Sequence, residues 1–289
     1  MYYGMIVGAV LLFGISFFFN ERYEKYMGGG MLSIMKFSLL SATAGVVVLF
    51  FVNGCALLVT PFTVLLALAN SLNGLLFTFC SLKALGRINL SLYSLFSMLG
   101  GMALPFVGGI LFFEESLTLA KAVCVLVICA ALALTVKKGE SRGGTLFYAG
   151  IFLLNGLSGI LSTVFQKAAF PKGSAGDYSL LSALWTVLIS AVLLLILTLG
   201  TKKQTPPRLS LRASLFGAGH GAINRIGNWI LILALAHVPA SAQYPMVTGG
   251  VMIVSTAFAF LTGKKPGRRE LYAVALSFLG ILALIAIPI

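Results

Sequence analysis

The sequence predicts an all-α polytopic membrane protein, with ten transmembrane helices arranged as two inverted five-helix repeats. Three observations carry that expectation. First, 59% of the 289 residues are hydrophobic and 9% are charged, about a third of the charge a soluble domain carries. A soluble enzyme of this length lacks the polar surface it would need, and a disordered chain would be poor in apolar residues. Second, polar breaks cut the chain into ten apolar segments, each near the ~20 residues that cross a hydrocarbon core. Third, the two halves match one another at an offset of 150 residues.

The segments run 2–19, 32–52, 61–82, 90–112, 118–136, 145–166, 178–199, 211–236, 240–262 and 269–288. The first has no basic leader and no small-residue cleavage site, so it reads as a retained span. Short connections rich in turn residues separate the rest, among them Asn53-Gly54, Pro171-Lys172-Gly173, Pro206-Pro207 and Pro266-Gly267. The apolar runs are continuous, which excludes the alternation of a membrane β-barrel. Cys55, Cys80, Cys124 and Cys129 show no metal or redox spacing and read as small packing residues.

The repeat is clearest over 84–135, where ten of 52 positions are identical at offset 150. Ala84-Leu85 falls on Ala234-Leu235, Ser91 on Ser241, Gly100 on Gly250, Met102 on Met252 and Leu132-Ala133-Leu134 on Leu282-Ala283-Leu284. The expected halves are 1–140 and 141–289. Five helices per half invert the second copy, which is the plan of secondary transporters with a midplane site.

The net charge of +13 sorts by loop. Sixteen of the twenty Lys and Arg residues flank the connections after segments 1, 3, 5, 7 and 9. Only Lys121, Lys167 and Lys172 flank the others, and Arg225 is left inside segment 8. The positive-inside rule then puts the sixteen in the cytoplasm and both termini outside, in a membrane of the bacterial inner-membrane kind. The basic loops read as topology signals with some anionic-lipid contact, not as a nucleic-acid surface.

Several short motifs resemble the ten-helix, EamA-like branch of the drug/metabolite transporter superfamily. The best is Ala234-Leu-Ala-His-Val-Pro-Ala-Ser-Ala-Gln-Tyr-Pro245, an Ala-Leu pair, a short turn, a small-residue run and a proline in helix 9. Ala84-Leu85 with Ser91, and Glu114-Glu115 closing segment 4, are the first-half counterparts. Phe113, Lys264 and Leu95 depart from the pattern, standing where it has Gly, Glu and Pro. The resemblance implies a transport fold without naming the cargo, since the family spans amino acids, nucleotide sugars, sugar phosphates, choline-like cations and drugs.

The polar residues inside the segments carry the functional signal. In segment 8, His220, Asn224 and Asn228 lie at i, i+4 and i+8 on one stripe, with Arg225 near mid-span. A central arginine costs about 2.5–3.5 kcal/mol even on the lenient insertion scale. No Asp or Glu is expected inside any span, so a buried carboxylate partner is not at hand. An anionic group on a substrate would complete the charge in bidentate geometry; the alternative is a structural arginine held by carbonyls and the asparagines. His220 is the candidate for coupling to protons, against a packing role. Asn70, Asn73 and Phe77 form a second stripe on segment 3, where Asn70 matches His220 at offset 150. Tyr93, Ser94 and Ser97 on segment 4, Asn155 on segment 6, Gln243, Tyr244 and Thr248 on segment 9, and Ser16 on segment 1 are further lining candidates. Pro245 is a kink or a freed carbonyl, and Trp185 and Trp229 are stacking or core residues.

There is no H-E-x-x-H, Walker A, G-x-S-x-G or G-x-G-x-x-G, so neither enzymatic chemistry nor a cofactor is expected. The expected function is a secondary transporter of a small anionic or zwitterionic metabolite, such as an amino acid or organic acid. It would work by alternating access, with a central cavity between helices 3/4 and 8/9. The alternatives are an exporter of drugs or organic cations such as quaternary amines, and a non-transporting membrane scaffold.

Overall fold

The computed structural model describes residues 1–28, 30–85, 90–134, 145–200, 209–261 and 267–286. Among them are ten α-helices and no strand. They are α1 (Tyr2–Met27), α2 (Met31–Val52), α3 (Pro61–Leu85), α4 (Leu90–Phe112) and α5 (Leu119–Leu134), then α6 (Thr145–Lys167), α7 (Ala175–Gly200), α8 (Leu211–Ala234), α9 (Ala240–Leu261) and α10 (Arg268–Ala286). Five are long and apolar enough to cross a membrane by length and composition: α1, α2, the Pro61–Cys80 stretch of α3, the Ala149–Lys167 stretch of α6, and α7.

The helix ends show which signals govern the chain. Helix α1 overruns its apolar segment because Glu21, Arg22, Glu24 and Lys25 end hydrophobicity without ending helicity. Gly28, at φ +71°, ends it instead. Gly54, at φ +70°, does the same after α2. Helix α3 starts with Pro61 behind Thr60, whose hydroxyl accepts from the Thr63 N–H at 3.3 Å. Helix α7 starts at Ala175, before its apolar run, because Ser174 and Asp177 form a reciprocal cap. The Asp177 N–H donates to Ser174 Oγ at 3.0 Å, and the Ser174 N–H donates to Asp177 Oδ2 at 2.7 Å. The expectation that no span holds a carboxylate is corrected at Glu270, which lies inside 269–288 in the first turn of α10; Asp177, Glu21 and Glu24 lie in helices but outside the apolar segments.

The chain forms two compact units, each drawn from both sequence halves. The first comprises Met1–Leu11, Asn73–Ala168 and Leu231–Ile289; the second comprises Leu12–Leu72 and Ala169–Ile230. In the first, α4 packs on α6 and α9, and α5 packs on α10. A Cβ at Gly100 would strike the Phe152 carbonyl, so this glycine sets the closeness of α4 and α6. In the second unit, α2 packs along α7 around Leu49, Leu180 and Ala183.

Helix α7 has reversed polarity. Ser179, Ser182 and Ser190 are buried, whereas Leu188 is 53% exposed and Leu199 is 72% exposed. Leu184, Val192, Leu195 and Ile196 extend that exposed apolar face. A helix in water would present its hydroxyls and hide its leucines.

Candidate functional site

The second unit holds Arg225. Its guanidinium Nη2 donates to Thr186 Oγ1 on α7 at 3.3 Å. Gly45 on α2 leaves room for the arginine stem: a Cβ there would lie 2.6 Å from Arg225 Cγ. Thr186 Oγ1 in turn donates to the Ser182 carbonyl at 2.7 Å, which leaves its lone pairs to Arg225. Ser71 of α3 joins the cluster by bonding the same Ser182 carbonyl at 2.8 Å. Among the described residues no carboxylate lies within ion-pair distance of Arg225, and four of its five N–H donors have no partner.

The other face of α8 turns to α1. His220 Nδ1 lies 2.9 Å from the Ser16 carbonyl, which only accepts, so Nδ1 carries the proton. The ring tilts against Phe37 at 4.8 Å between centroids. Asn224 Nδ2 reaches Ser16 Oγ at 3.5 Å, and Asn228 Nδ2 bonds back to the Asn224 carbonyl at 2.9 Å. His220 and Asn224 thus share Ser16, and Asn228 bonds to Asn224 one turn on. Around the helix Arg225 lies about 140° from His220, about 100° from Asn224 and about 60° from Asn228. Asn70 is half-buried on the second unit's stretch of α3. Trp229 packs on the Leu49–Leu180–Ala183 core as a packing residue.

The first unit gathers the remaining candidates into interhelical bonds. Asn73 Nδ2 donates to the Leu154 carbonyl of α6 at 2.8 Å. Asn155 Nδ2 donates to the Ser97 carbonyl of α4 at 2.6 Å. Gln243 Nε2 donates to the Leu231 carbonyl at 3.0 Å, and Tyr244 donates its hydroxyl proton to the Gly159 carbonyl at 2.9 Å. The Asn73 Oδ1 and Gln243 Oε1 atoms are buried without a partner. Phe77 and Thr248 are half-buried. The side chains of Tyr93 and Ser94 lie outside the described residues. Besides Pro245 in α9, Pro105 stands inside α4.

Two polar clusters escaped the sequence reading. In the first unit the Glu115 carboxylate, following α4, caps α9. The Ala240 and Ser241 N–H groups donate to it at 3.0 and 2.8 Å, and Lys167 at the end of α6 forms an ion pair with it. Burial raises the Glu115 carboxyl, but Lys167, Ser241 and Ala240 together outweigh it and hold the pKa below its ordinary value. Lys121 lies nearby, its Nζ donating to the Ser116 carbonyl at 2.7 Å. Lys121 and Lys167 thus lie in one cluster with Glu115. In the second unit, Asp177 accepts from the Leu58 N–H, Asn53 Nδ2, the Ser174 N–H and Ser174 Oγ. The reciprocal Ser-x-x-Asp spacing at 174–177 was the available signal.

No family model matches the chain, and no curated protein matches it. A solved structure described as "Crystal structure of protein" has the same fold, with a TM-score of 0.74 over 97% of each chain at 16% identity. At that identity the likeness is one of fold alone.

Proposed function

We propose that the chain is an integral membrane protein with ten transmembrane helices in two inverted repeats, and that it is a secondary transporter of a small organic anion held by Arg225. The observation that carries this is the guanidinium of α8, near mid-helix, with one hydrogen bond to a neutral hydroxyl and no carboxylate beside it among the described residues. Such a group costs several kcal/mol in an apolar surround unless an anion or water completes it. Its planar fork fits a carboxylate.

The membrane reading is supported by the reversed polarity of α7 and by the five apolar helices of sufficient length. The repeat is supported by partners five helices apart: α2 with α7, α4 with α9 and α5 with α10. Both matched glycines face a neighbouring helix, Gly100 of α4 the backbone of Phe152 in α6 and Gly250 of α9 the side chain of Val10 in α1. The cation-export alternative draws no comparable support, because Trp229 packs partly buried against a core and the Asp177 carboxylate is already engaged by four donors.

The test is a thermal-shift screen of purified protein against amino acids, organic acids, sugar phosphates and quaternary amines. Ligands that bind only the native state raise the melting temperature. Shifts with anions that vanish in Arg225→Ala are expected. Shifts with cations alone contradict the proposal.

A further inference from the structure

The surroundings of Arg225 narrow the class of anion. The face of α7 that carries Thr186 to the guanidinium also carries Ser179 and Ser182, at spacings of seven and four residues, on one side of the helix. Both serines are nearly sealed from solvent, at 5% and 2% exposure, and neither Oγ has a partner. A buried hydroxyl without a partner costs free energy that a bound hydroxyl would recover. Thr186 already donates to the Ser182 carbonyl, and Ser71 donates within its own pair of carbonyls. Among the described residues, the unmatched groups beside Thr186 include the serine hydroxyls, which donate and accept, and the guanidinium, which only donates.

The charges set two further limits. Arg225 is the cation of this cluster. His220 is turned to the Ser16 carbonyl and Phe37, and Lys36 lies nine residues, about 13 Å, from Gly45 along α2. One fixed positive charge balances a monoanion and leaves a phosphate dianion with an uncompensated buried charge. A ligand ammonium would add a second positive charge beside Arg225 and would need a free carboxylate to balance it. The acid of this helix, Asp177, offers about four lone-pair sites. All four are taken, by Leu58, Asn53 and two donors of Ser174.

We propose that the Arg225 site selects a small hydroxylated monocarboxylate, with the carboxylate on the guanidinium and the hydroxyl on Ser179 and Ser182. This rests on the anion-anchor reading of Arg225 given above, and it excludes amino acids and phosphorylated compounds as the preferred cargo.

Four probes of similar size separate the terms: L-lactate, propionate, L-alanine and glycerol 3-phosphate. Each is titrated against detergent-purified full-length protein and followed by thermal shift and calorimetry. L-lactate is expected to bind roughly tenfold more tightly than propionate, the worth of about one satisfied hydrogen bond. L-alanine and glycerol 3-phosphate are expected to bind more weakly than both. The double variant Ser179→Ala/Ser182→Ala is expected to lose the preference for L-lactate and keep propionate binding, so its retained affinity also reports folding. L-alanine or glycerol 3-phosphate binding as tightly as L-lactate overturns the substrate class while leaving Arg225 an anion anchor. Equal binding of L-lactate and propionate overturns the role of the serines. No binding of any probe, or binding unchanged in Arg225→Ala, overturns the anchor and the substrate class together.

Discussion

The Arg225 guanidinium donates to the Thr186 hydroxyl at 3.3 Å, and this is its one hydrogen bond among the described residues. The bond fixes which edge of the fork faces α7 and leaves the other N–H groups for a ligand. Thr186→Val removes the acceptor while keeping the branched shape. Anion affinity should fall about tenfold, with little change in folded yield, as for a lost hydrogen bond to a charged group. Titration of the variant by calorimetry checks this, and unchanged affinity would make Thr186 incidental.

Glu115 gives a pH signature. A carboxylate held below its ordinary value of 4.5 stabilises the fold above that pH, and the contribution is lost as pH falls through the folded value. The melting temperature of the wild-type protein should therefore hold from neutral pH down to about 4.5 and drop below it. Glu115→Gln cannot form the ion pair with Lys167 and should melt lower at neutral pH. The two curves should converge in acid. Parallel curves across the whole range would remove Glu115 as the origin of acid sensitivity.

Close packing of α4 on α6 predicts a contrast between glycines. A methyl at Gly100 meets backbone of the neighbouring helix, so Gly100→Ala must push α4 away from α6 and should cost about 1–3 kcal/mol. Gly8 in α1 has nothing within 4 Å of an added Cβ. Gly8→Ala should be neutral or stabilising by up to about 1 kcal/mol through helix propensity. Denaturation of both variants in the same detergent compares them, and similar losses at the two sites would contradict the contact.

Much of the helical framework was legible in the sequence, because apolar runs and turn residues act locally. The ends of α3, α4, α8 and α9 lie within a few residues of the segments read from composition. The early start of α7 was harder, because the Ser174–Asp177 cap extends the helix beyond its apolar run. On α8 the 3.6-residue period exposed the His220–Asn224–Asn228 stripe, of which His220 and Asn224 meet Ser16. Thr186 was missed as the partner of Arg225, because a lone threonine in an apolar span looks like packing. Its signal was the shared face with Ser179, Ser182 and Ser190, a spacing visible in the sequence. The Glu115 cap on α9 joins residues 125 or more positions apart, and no local pattern reports such a pairing.

Counterflow in proteoliposomes tests the central claim most directly. Vesicles holding purified protein are loaded with unlabelled L-lactate and diluted into labelled L-lactate. Wild-type protein should accumulate label transiently. Arg225→Ala, reconstituted at equal folded yield, should accumulate none above protein-free vesicles. Counterflow by Arg225→Ala at the wild-type rate, or none by wild type with any monocarboxylate, would contradict an anion transporter anchored on Arg225.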